Sequence, residues 1–323
     1  MKVQPLEFEK PIVELELQLE ELLKASSGHD LDVSKEADRI RQKIAALRED
    51  TYKNLTAWQR VQISRHPARP FMLDYVDRCC TEFVELHGDR HVGDDNAMPG
   101  GFATFGGIRC VVIGHQKGRD TKENLKRNFG SAHPEGYRKA LRLMRLAEKF
   151  HLPIIALIDT PGAFPGIEAE ERNIAEAIAF NLREMMRLQT PIVAVVLGEG
   201  GSGGALGIGV ADRVLMLENA YYSVISPEGC AAILWKHRQH APQAAEAMKV
   251  TAQDLKRFEI VDEIIPEPVG GAHQNHATVA EALKNAVVKH LKDLSRLSTK
   301  QLLDGRYAKF RKFGAMAETS AAV

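Results

Sequence analysis

The spacing of apolar positions divides the chain into segments with different periods. From Ile12, apolar residues fall at Ile12, Leu15, Leu19, Leu22 and Leu23, with Glu14, Glu16, Glu20 and Glu21 between them. That spacing predicts an amphipathic helix. Ser26–Asp30 breaks it, and a second helix begins near Asp32 or Ser34, with Ala37, Ile40, Ile44 and Leu47 on one side. The pair reads as a hairpin, either a cap on the body or an arm for another subunit, because so narrow a stripe leaves much of each helix polar. Thr56-Ala-Trp-Gln59 has the form of a capping box, and His66-Pro-Ala-Arg-Pro70 stops the short helix that it opens. Phe71, Tyr75, Val76, Cys79, Phe83 and Leu86 then predict a third helix over 71–86, followed by a polar turn at His87–Arg90. Gly100–Gly114 reads as a hairpin turning at Gly106-Gly107.

Beyond it the pattern alternates between helix and buried strand. Pro134–Phe150 is helical, with Leu141, Met144, Ala147 and Phe150 along its apolar side. Pro153–Ile158 is an uncharged strand that ends in Asp159-Thr-Pro-Gly-Ala-Phe-Pro-Gly166. A helix from about Glu168 to Met185 follows, then a second uncharged strand, Pro191–Leu197. These are repeated parallel β–α units, in which ligands gather at the carboxyl ends of the strands. Later elements are a strand at Val214–Leu217, a strand and helix between Tyr221 and Trp235, a helix end and last strand in Leu255–Pro266, and a helix from Thr278 to about Leu303. The fold class is therefore α/β.

The second strand runs into Gly198–Gly209, where seven of twelve residues are glycine. Each costs about 0.5–1 kcal/mol relative to alanine in a regular element, so the density calls for close backbone approach. Three readings compete. The glycines serve helix–strand packing alone; or Gly200-Gly-Ser-Gly-Gly204 is a nucleophile elbow carrying Ser202; or bare N–H groups at a helix start form an oxyanion hole. The elbow needs an acid and a histidine, and His237, His240, His273 and His276 lie downstream in no recognisable motif. The parallel glycine turn at 159–166, at the end of the neighbouring strand, favours the oxyanion hole.

Composition narrows the classes. Across 323 residues, 43 Lys and Arg balance 43 Asp and Glu, which gives no case for bulk nucleic-acid or membrane binding. Cys79, Cys80, Cys110 and Cys230 form no C-x-x-C pair, so no zinc ribbon or disulfide scaffold is indicated, and reduced thiols fit a cytoplasmic protein. His273 and His276 have metal-like spacing but no further ligands, and a loop reading is preferred. The N-terminus lacks a signal peptide's apolar run, and no uncharged stretch reaches the ~20 residues of a membrane helix. The basic stretch Lys117, Arg119, Lys122, Lys126 and Arg127 reads either as a solvated face or as a weak site for an anion such as a phosphate; Asp120 and Glu123 dilute its charge.

Several long motifs, in order, resemble one family. Gly118–Gly130, Pro134–Met144, Ile158–Gly166, Ala169–Arg172, Gly198–Leu206 and Val224–Cys230 are similar to the alpha subunits of bacterial acetyl-coenzyme A carboxylase carboxyltransferases. The likeness runs over nearly the whole chain with no departure in the core motifs. It implies a crotonase-like fold, a superhelix of β-β-α turns, over 91–270, with an N-terminal helical region at 1–90 and a C-terminal helical segment and tail at 271–323. It implies transfer of a carboxyl group from carboxybiotin, on a separate biotin carrier protein, to acetyl-coenzyme A, giving malonyl-coenzyme A for fatty acid synthesis. The implied partners are a zinc-finger-bearing beta subunit, the carrier protein and biotin carboxylase, around an alpha2beta2 core, with no metal in this chain. The implied active site lies between alpha and beta, with alpha handling biotin.

Carried onto this sequence, the resemblance makes Gly203, Gly204 and Ala205 the donors to the biotin carbonyl. Gly162, Ala163, Phe164, Gly200 and Gly201 wall the site, the stretch 117–127 offers weak coenzyme A phosphate contacts, and Ser202 becomes a small helix cap. A side chain on Gly204 is then expected to invade the space biotin occupies. A crotonase-type hydratase or isomerase would need a carboxylate at the thioester; the position that aligns with it is Leu206. A noncatalytic scaffold would not need intact glycines at both turns.

Overall fold

A pair of fully apolar strands lies at the centre of a mixed sheet, and the chain wraps its helices around them. The computed structural model describes residues 5–26 and 33–314. Helices α1 (Lys10–Ser26) and α2 (Ser34–Lys53) form the expected antiparallel pair, and Arg48 pairs with Glu16 across it. The two pack chiefly on each other, and Leu17 and Leu23 remain exposed. The break expected at Ser26–Asp30 lies largely outside the described residues. Helix α3 (Ala57–Ser64) opens with the expected capping box: Gln59 N–H donates to Thr56 Oγ1 at 3.2 Å, and Thr56 N–H donates to Gln59 Oε1 at 2.8 Å.

The helix expected over 71–86 is half the length. Helix α4 (Met72–Cys79) stops at Cys79, and β1 (Cys80–Glu85) pairs antiparallel with β2 (Gly100–Phe105). Phe83 and Leu86 continued the helical spacing by coincidence, while strand pairing with a distant segment took the backbone. Strand β3 (Ile108–Gly114) closes the expected hairpin. Gly106 and Gly107 both have positive φ, +53° and +83°, as a two-residue turn matched to sheet twist requires.

Helices α5 (Thr121–Lys126) and α6 (Pro134–Lys149) lead into β4 (Ile154–Thr160). The helix expected over 168–185 is two, α7 (Ile167–Glu171) and α8 (Ile174–Met185), because Asn173 between them is left-handed at φ +64°. Strand β5 (Ile192–Gly201) follows, then α9 (Ser202–Leu206), β6 (Arg213–Leu217) and β7 (Tyr221–Ser223). Helices α10 (Pro227–Trp235), α11 (Ala241–Met248) and α12 (Ala252–Arg257) precede β8 (Glu263–Ile265). The last expected helix is also two, α13 (His276–Leu294) and α14 (Thr299–Arg311), divided where Ser298 and Gln301 form a capping box.

The strand order is β1-β2-β3-β4-β5-β6-β8, antiparallel through β3 and parallel from β3 onward. Strand β7 pairs with the last three residues of β5, Glu199–Gly201, so β5 forks away from β6 at its carboxyl end. Every residue of β4 and β5 is buried, as expected for parallel strands covered on both faces. One buried cluster joins Met72 and Tyr75 of α4, the sheet, and Leu283, Val287 and Leu302 of α13 and α14, so residues on either side of positions 90 and 270 share it.

The C-terminal helix is anchored by one buried cation. Arg306 donates to both Asp212 oxygens at 2.8 Å and to the carbonyls of Met185, Leu188 and Thr190 at 2.7–2.9 Å. Asp212 in turn accepts from Ile192 N–H at the start of β5. Removing one member of a buried pair strands the other charge, at about 3–5 kcal/mol. Arg306→Met should therefore lower the denaturant midpoint by the equivalent of about that much, measured by urea unfolding; an unchanged midpoint would show that α14 is not held by this residue.

Candidate active site

The two glycine-bearing turns lie side by side, because β4 and β5 are adjacent and parallel. Their backbones touch. A Cβ on Gly201 would lie 2.2 Å from Pro161 O, and one on Gly204 would lie 2.5 Å from Ala163 N and 2.5 Å from Gly162 C. Glycine at 201 and 204 is thus what lets the start of α9 seat against residues 161–163. Gly200 is closed on the β7 side, where a Cβ would meet the Tyr222 ring at 2.8 Å. Gly162 is the open point: φ is +151°, and a Cβ there would meet nothing within 4 Å. At Gly203 the nearest atom would be Ile178 Cδ1 at 3.6 Å. Phe164 stacks on His133, with ring centroids 4.1 Å apart. The structure so brings together Gly162, Ala163, Gly201, Gly203, Gly204 and Ala205, and sets Phe164 beyond them.

The expected role of Ser202 as a helix cap is not what the structure has. Gly201 is the N-cap, and no side chain caps the first turn of α9, which leaves its leading N–H groups without a capping partner. Ser202 is exposed, with φ +52°, a strained value for serine. The pocket beside it is apolar, lined by Leu206, Val214, Tyr222, Val224, Phe310 and Phe313 among others, and contains no histidine or carboxylate. His276 is used elsewhere, donating from Nε2 to Ala68 O at 2.8 Å, and His273 stacks on His66 at 3.8 Å. Among the described residues no group of histidines, cysteines and carboxylates could hold a metal ion. The cysteines of this chain are free.

Behind the turns is an ionic network. Lys117 Nζ donates to Asp159 Oδ1 at 2.7 Å, at the end of β4, and to Glu199 Oε2 at 2.9 Å, near the end of β5. Arg65 Nε donates to Glu199 Oε1 at 2.7 Å, the Tyr221 hydroxyl donates to the same oxygen at 3.0 Å, and Arg65 also pairs with Glu228. Burial pushes the Glu199 carboxyl up, but the charges of Lys117 and Arg65 outweigh it and hold it down at about 2. Both carboxylates, at the ends of β4 and β5, are therefore held by cations.

The basic stretch does not converge. Lys117 is buried in that network, with its side chain 13% exposed. Arg119 donates to the carbonyls of Pro67 and Arg69 and stacks 4.0 Å over the Phe71 ring; Arg127 donates to Glu123 and to Asn96 O. Lys122 and Lys126 are exposed, and among the described residues neither has a hydrogen-bond or ion-pair partner. No sequence motif pointed to Arg65, Glu199 or Tyr221 as one network; an uncompensated glutamate inside a glycine-rich, strand-ending segment was the available signal.

Residues 5–314 match the family model described as "Acetyl co-enzyme A carboxylase carboxyltransferase-like". The chain belongs to that family. It is 57% identical over 313 residues to the acetyl-coenzyme A carboxylase carboxyl transferase subunit alpha of Geobacter metallireducens, covering 97% of this chain and 98% of the relative. It is 54% identical over 314 residues to the subunit of the same name from Thermus thermophilus, covering 97% and 99%. In fold it is similar to transcarboxylase 12S, with a TM-score of 0.53 and 19% identity over 68% of this chain and 42% of that one. It is likewise similar to a Pseudomonas malonate decarboxylase hetero-tetramer solved with coenzyme A, with a TM-score of 0.59 and 15% identity over 74% and 96%. The crotonase-like α/β fold implied by the resemblance is the fold observed.

In this carboxyltransferase-family chain a buried histidine backs the glycine turn. His115 is fully buried, and its ring nitrogens make no hydrogen bond of good geometry, the Gly204 backbone being the polar group that acts on them. Burial, and then the charge of Lys117, push its pKa down to about 3. In the unfolded chain the value returns to about 6.5. Between those limits the unfolded state binds a proton that the folded state refuses, so stability falls as pH drops from 6.5 toward 3, by at most about 1.4 kcal/mol per pH unit. His115→Gln should flatten the slope of unfolding free energy against pH by about one proton over that range; equal slopes for the two proteins would mean that His115 titrates normally.

The contacts at Gly204 correct the expectation that a side chain there would intrude on a ligand. It would strike the backbone of the other turn first. Gly204→Ala should cost about 1–3 kcal/mol of stability through overpacking, whereas Gly203→Ala should cost none. Urea melts of the two variants side by side check this, and equal stability would remove the backbone contact from the account.

Proposed function

We propose that this chain is the alpha subunit of an acetyl-coenzyme A carboxylase carboxyltransferase, transferring a carboxyl group from carboxybiotin on a carrier protein to acetyl-coenzyme A to give malonyl-coenzyme A. The observation that carries the proposal is the seating of the uncapped start of α9 against residues 161–163. That seating supports a reading in which unpaired N–H groups of the first turn of α9 serve a ligand beside the neighbouring turn, whose open point is Gly162. Biotin supplies the carboxyl group when bound. The task of this chain is then to hold a carbonyl oxygen on which negative charge develops.

Gly203 and Gly204, in the uncapped first turn of α9, are the proposed donors, and Gly162, Ala163 and Phe164 the proposed wall; Ala205, expected as a third donor, is the fourth residue of α9, where the N–H bonds back to the N-cap carbonyl. Each well-placed donor of this kind is worth about 2.7–4 kcal/mol in the transition state. Five residues of helix add little dipole, so the N–H groups themselves do the stabilising. Nothing in this role requires a nucleophile or a general base, and the absence of either beside Ser202 among the described residues is consistent with it. The fit of biotin rests on the open side of Gly162, since Gly201 and Gly204 are closed against the other turn. Leu206 is exposed where a hydratase would present a carboxylate. Of the basic stretch, Lys122 and Lys126 remain available to a coenzyme A phosphate.

The proposed site is completed by a beta subunit, in an alpha2beta2 core that works with a biotin carrier protein and biotin carboxylase in the cytoplasm. Malonyl-coenzyme A decarboxylation with free biotin as acceptor tests this. The chain alone should show negligible transfer, and adding the beta partner should restore it. Ser202→Ala in the pair should keep activity within about tenfold, where loss of a true nucleophile costs on the order of 10⁶. Transfer by the single chain, or a loss of many thousandfold in Ser202→Ala with normal folding, would overturn the proposal.

A further inference from the structure

Helix α6 has two faces of opposite character. Tyr137, Ala140, Leu141, Met144 and Ala147 are buried in the core. The outer face carries Arg138, Arg142, Arg145 and Lys149 at steps of four, three and four, which puts all four on one stripe. Together with Arg90 they line a groove of about 620 Å³ against α8, floored by Leu141, Ala177 and Phe180. That volume is in the range of small-molecule sites.

The groove's cations are not balanced by its acids. Asp89 and Glu176 are the two carboxylates on its lining. Asp89 is buried and saturated: it accepts from Arg138 Nε at 2.8 Å and from the N–H groups of His91, Val92 and Gly93. Arg145 is shared with Glu184, and Arg138 is bound to Asp89, Glu135 and Arg172 O. Among the described residues, three cations of the groove make no ion pair. Arg142 donates only to the carbonyls of Gly88 and His87, at 3.0 and 3.1 Å. Lys149 lies 5.7 Å from the Phe150 ring, and among the described residues neither it nor Arg90 pairs with an acid. Burial, then the positive charge of Arg90, push the Arg142 guanidinium below its ordinary range and outweigh the charges of Asp94 and Asp89. Cations gathered in a concave site repel one another until an anion enters.

We propose that the groove between α6 and α8 binds a phosphate-bearing polyanion along the Arg142–Lys149 stripe. Two turns of helix separate those residues, about 10 Å, so one orthophosphate does not reach both, while a chain of two or three phosphates does. Guanidinium forks match phosphate oxygens two at a time, and the Arg142 donors left over from the carbonyls face that need. Phe180 adds a second feature: Arg183 and Arg145 lie 4.5 and 5.5 Å from its ring. The shared chemistry is a linear phosphate chain, from an inorganic polyphosphate or from a nucleoside polyphosphate whose base uses Phe180.

Isothermal titration of the full chain with sodium tripolyphosphate, at 0.15 M salt, reads the proposal directly. One saturable site is expected. Lys149→Gln removes a cation that holds nothing in the fold and should weaken binding about tenfold; Arg142→Gln should do so more strongly. Glu176→Gln should tighten it. Arg187→Gln, a cation outside the groove, should leave it unchanged. Adenosine triphosphate without divalent metal is the second arm. Binding at least tenfold tighter than tripolyphosphate, lost in Phe180→Leu, would assign a nucleoside polyphosphate, and equal binding would assign the phosphate chain alone. No saturable binding, or equal losses in Lys149→Gln and Arg187→Gln, would overturn the site.

Discussion

The close approach of two strand-end turns is the constraint on which the rest depends, and one lysine holds it. Lys117 reaches both Asp159 and Glu199, so it joins the ends of the two central strands at the level of the turns. Glu199 N–H also donates to Asp159 Oδ1 at 2.9 Å, which fixes the offset between the strands. With the offset fixed, Gly201 and Gly204 are forced against Pro161–Ala163, and no side chain fits between. Buried ion pairs add little net stability against a well-packed apolar alternative. What this one contributes is register: a Lys with two carboxylate partners tolerates only one relative position of β4 and β5.

The same device recurs at the other boundaries of the sheet. Arg69 donates to both Glu267 oxygens and to Leu197 O, tying the segment before α4 to β5 and to the segment after β8. Arg306 does the equivalent for α14 at the opposite end of β5. In each case a planar guanidinium satisfies several acceptors at once, including main-chain carbonyls of β5 and of the segment that ends α8. The central strands supply the apolar burial, and these cations decide what docks on them and where.

A site of this design separates chemistry from stability. The carboxylates at the ends of β4 and β5 are neutralised by Lys117 and Arg65, which leaves the turns presenting backbone dipoles rather than charges. That suits a reaction whose demand is for donors at a developing oxyanion. Helix α6 shows the complementary economy on the outside of the fold, where its apolar face is core and its other face is a stripe of cations with fewer acids than it needs.

Much of this was legible in the residues alone. The uncharged β-branched runs gave the two central strands, the glycine density marked the turns, and the order of the motifs identified the family. The capping box at Ser298–Gln301 is equally local, and it divides the last helix where the apolar period alone runs on unbroken. Other features were decided by partners far away in the chain. Cys80–Glu85 is a strand because Gly101–Phe105 offers it an edge, although its spacing continues a helix. Lys117 looked like one of five solvated cations and is instead buried, because residues 159 and 199 meet over it. Gly204 looked like a position cleared for a ligand, and it is cleared for another stretch of backbone. Local pattern fixes which segments are strand, turn and helix, since propensity and periodicity act within a few residues. Which charges are buried, and toward what a glycine's missing side chain would point, depends on contacts across tens of residues that only the folded sheet brings together.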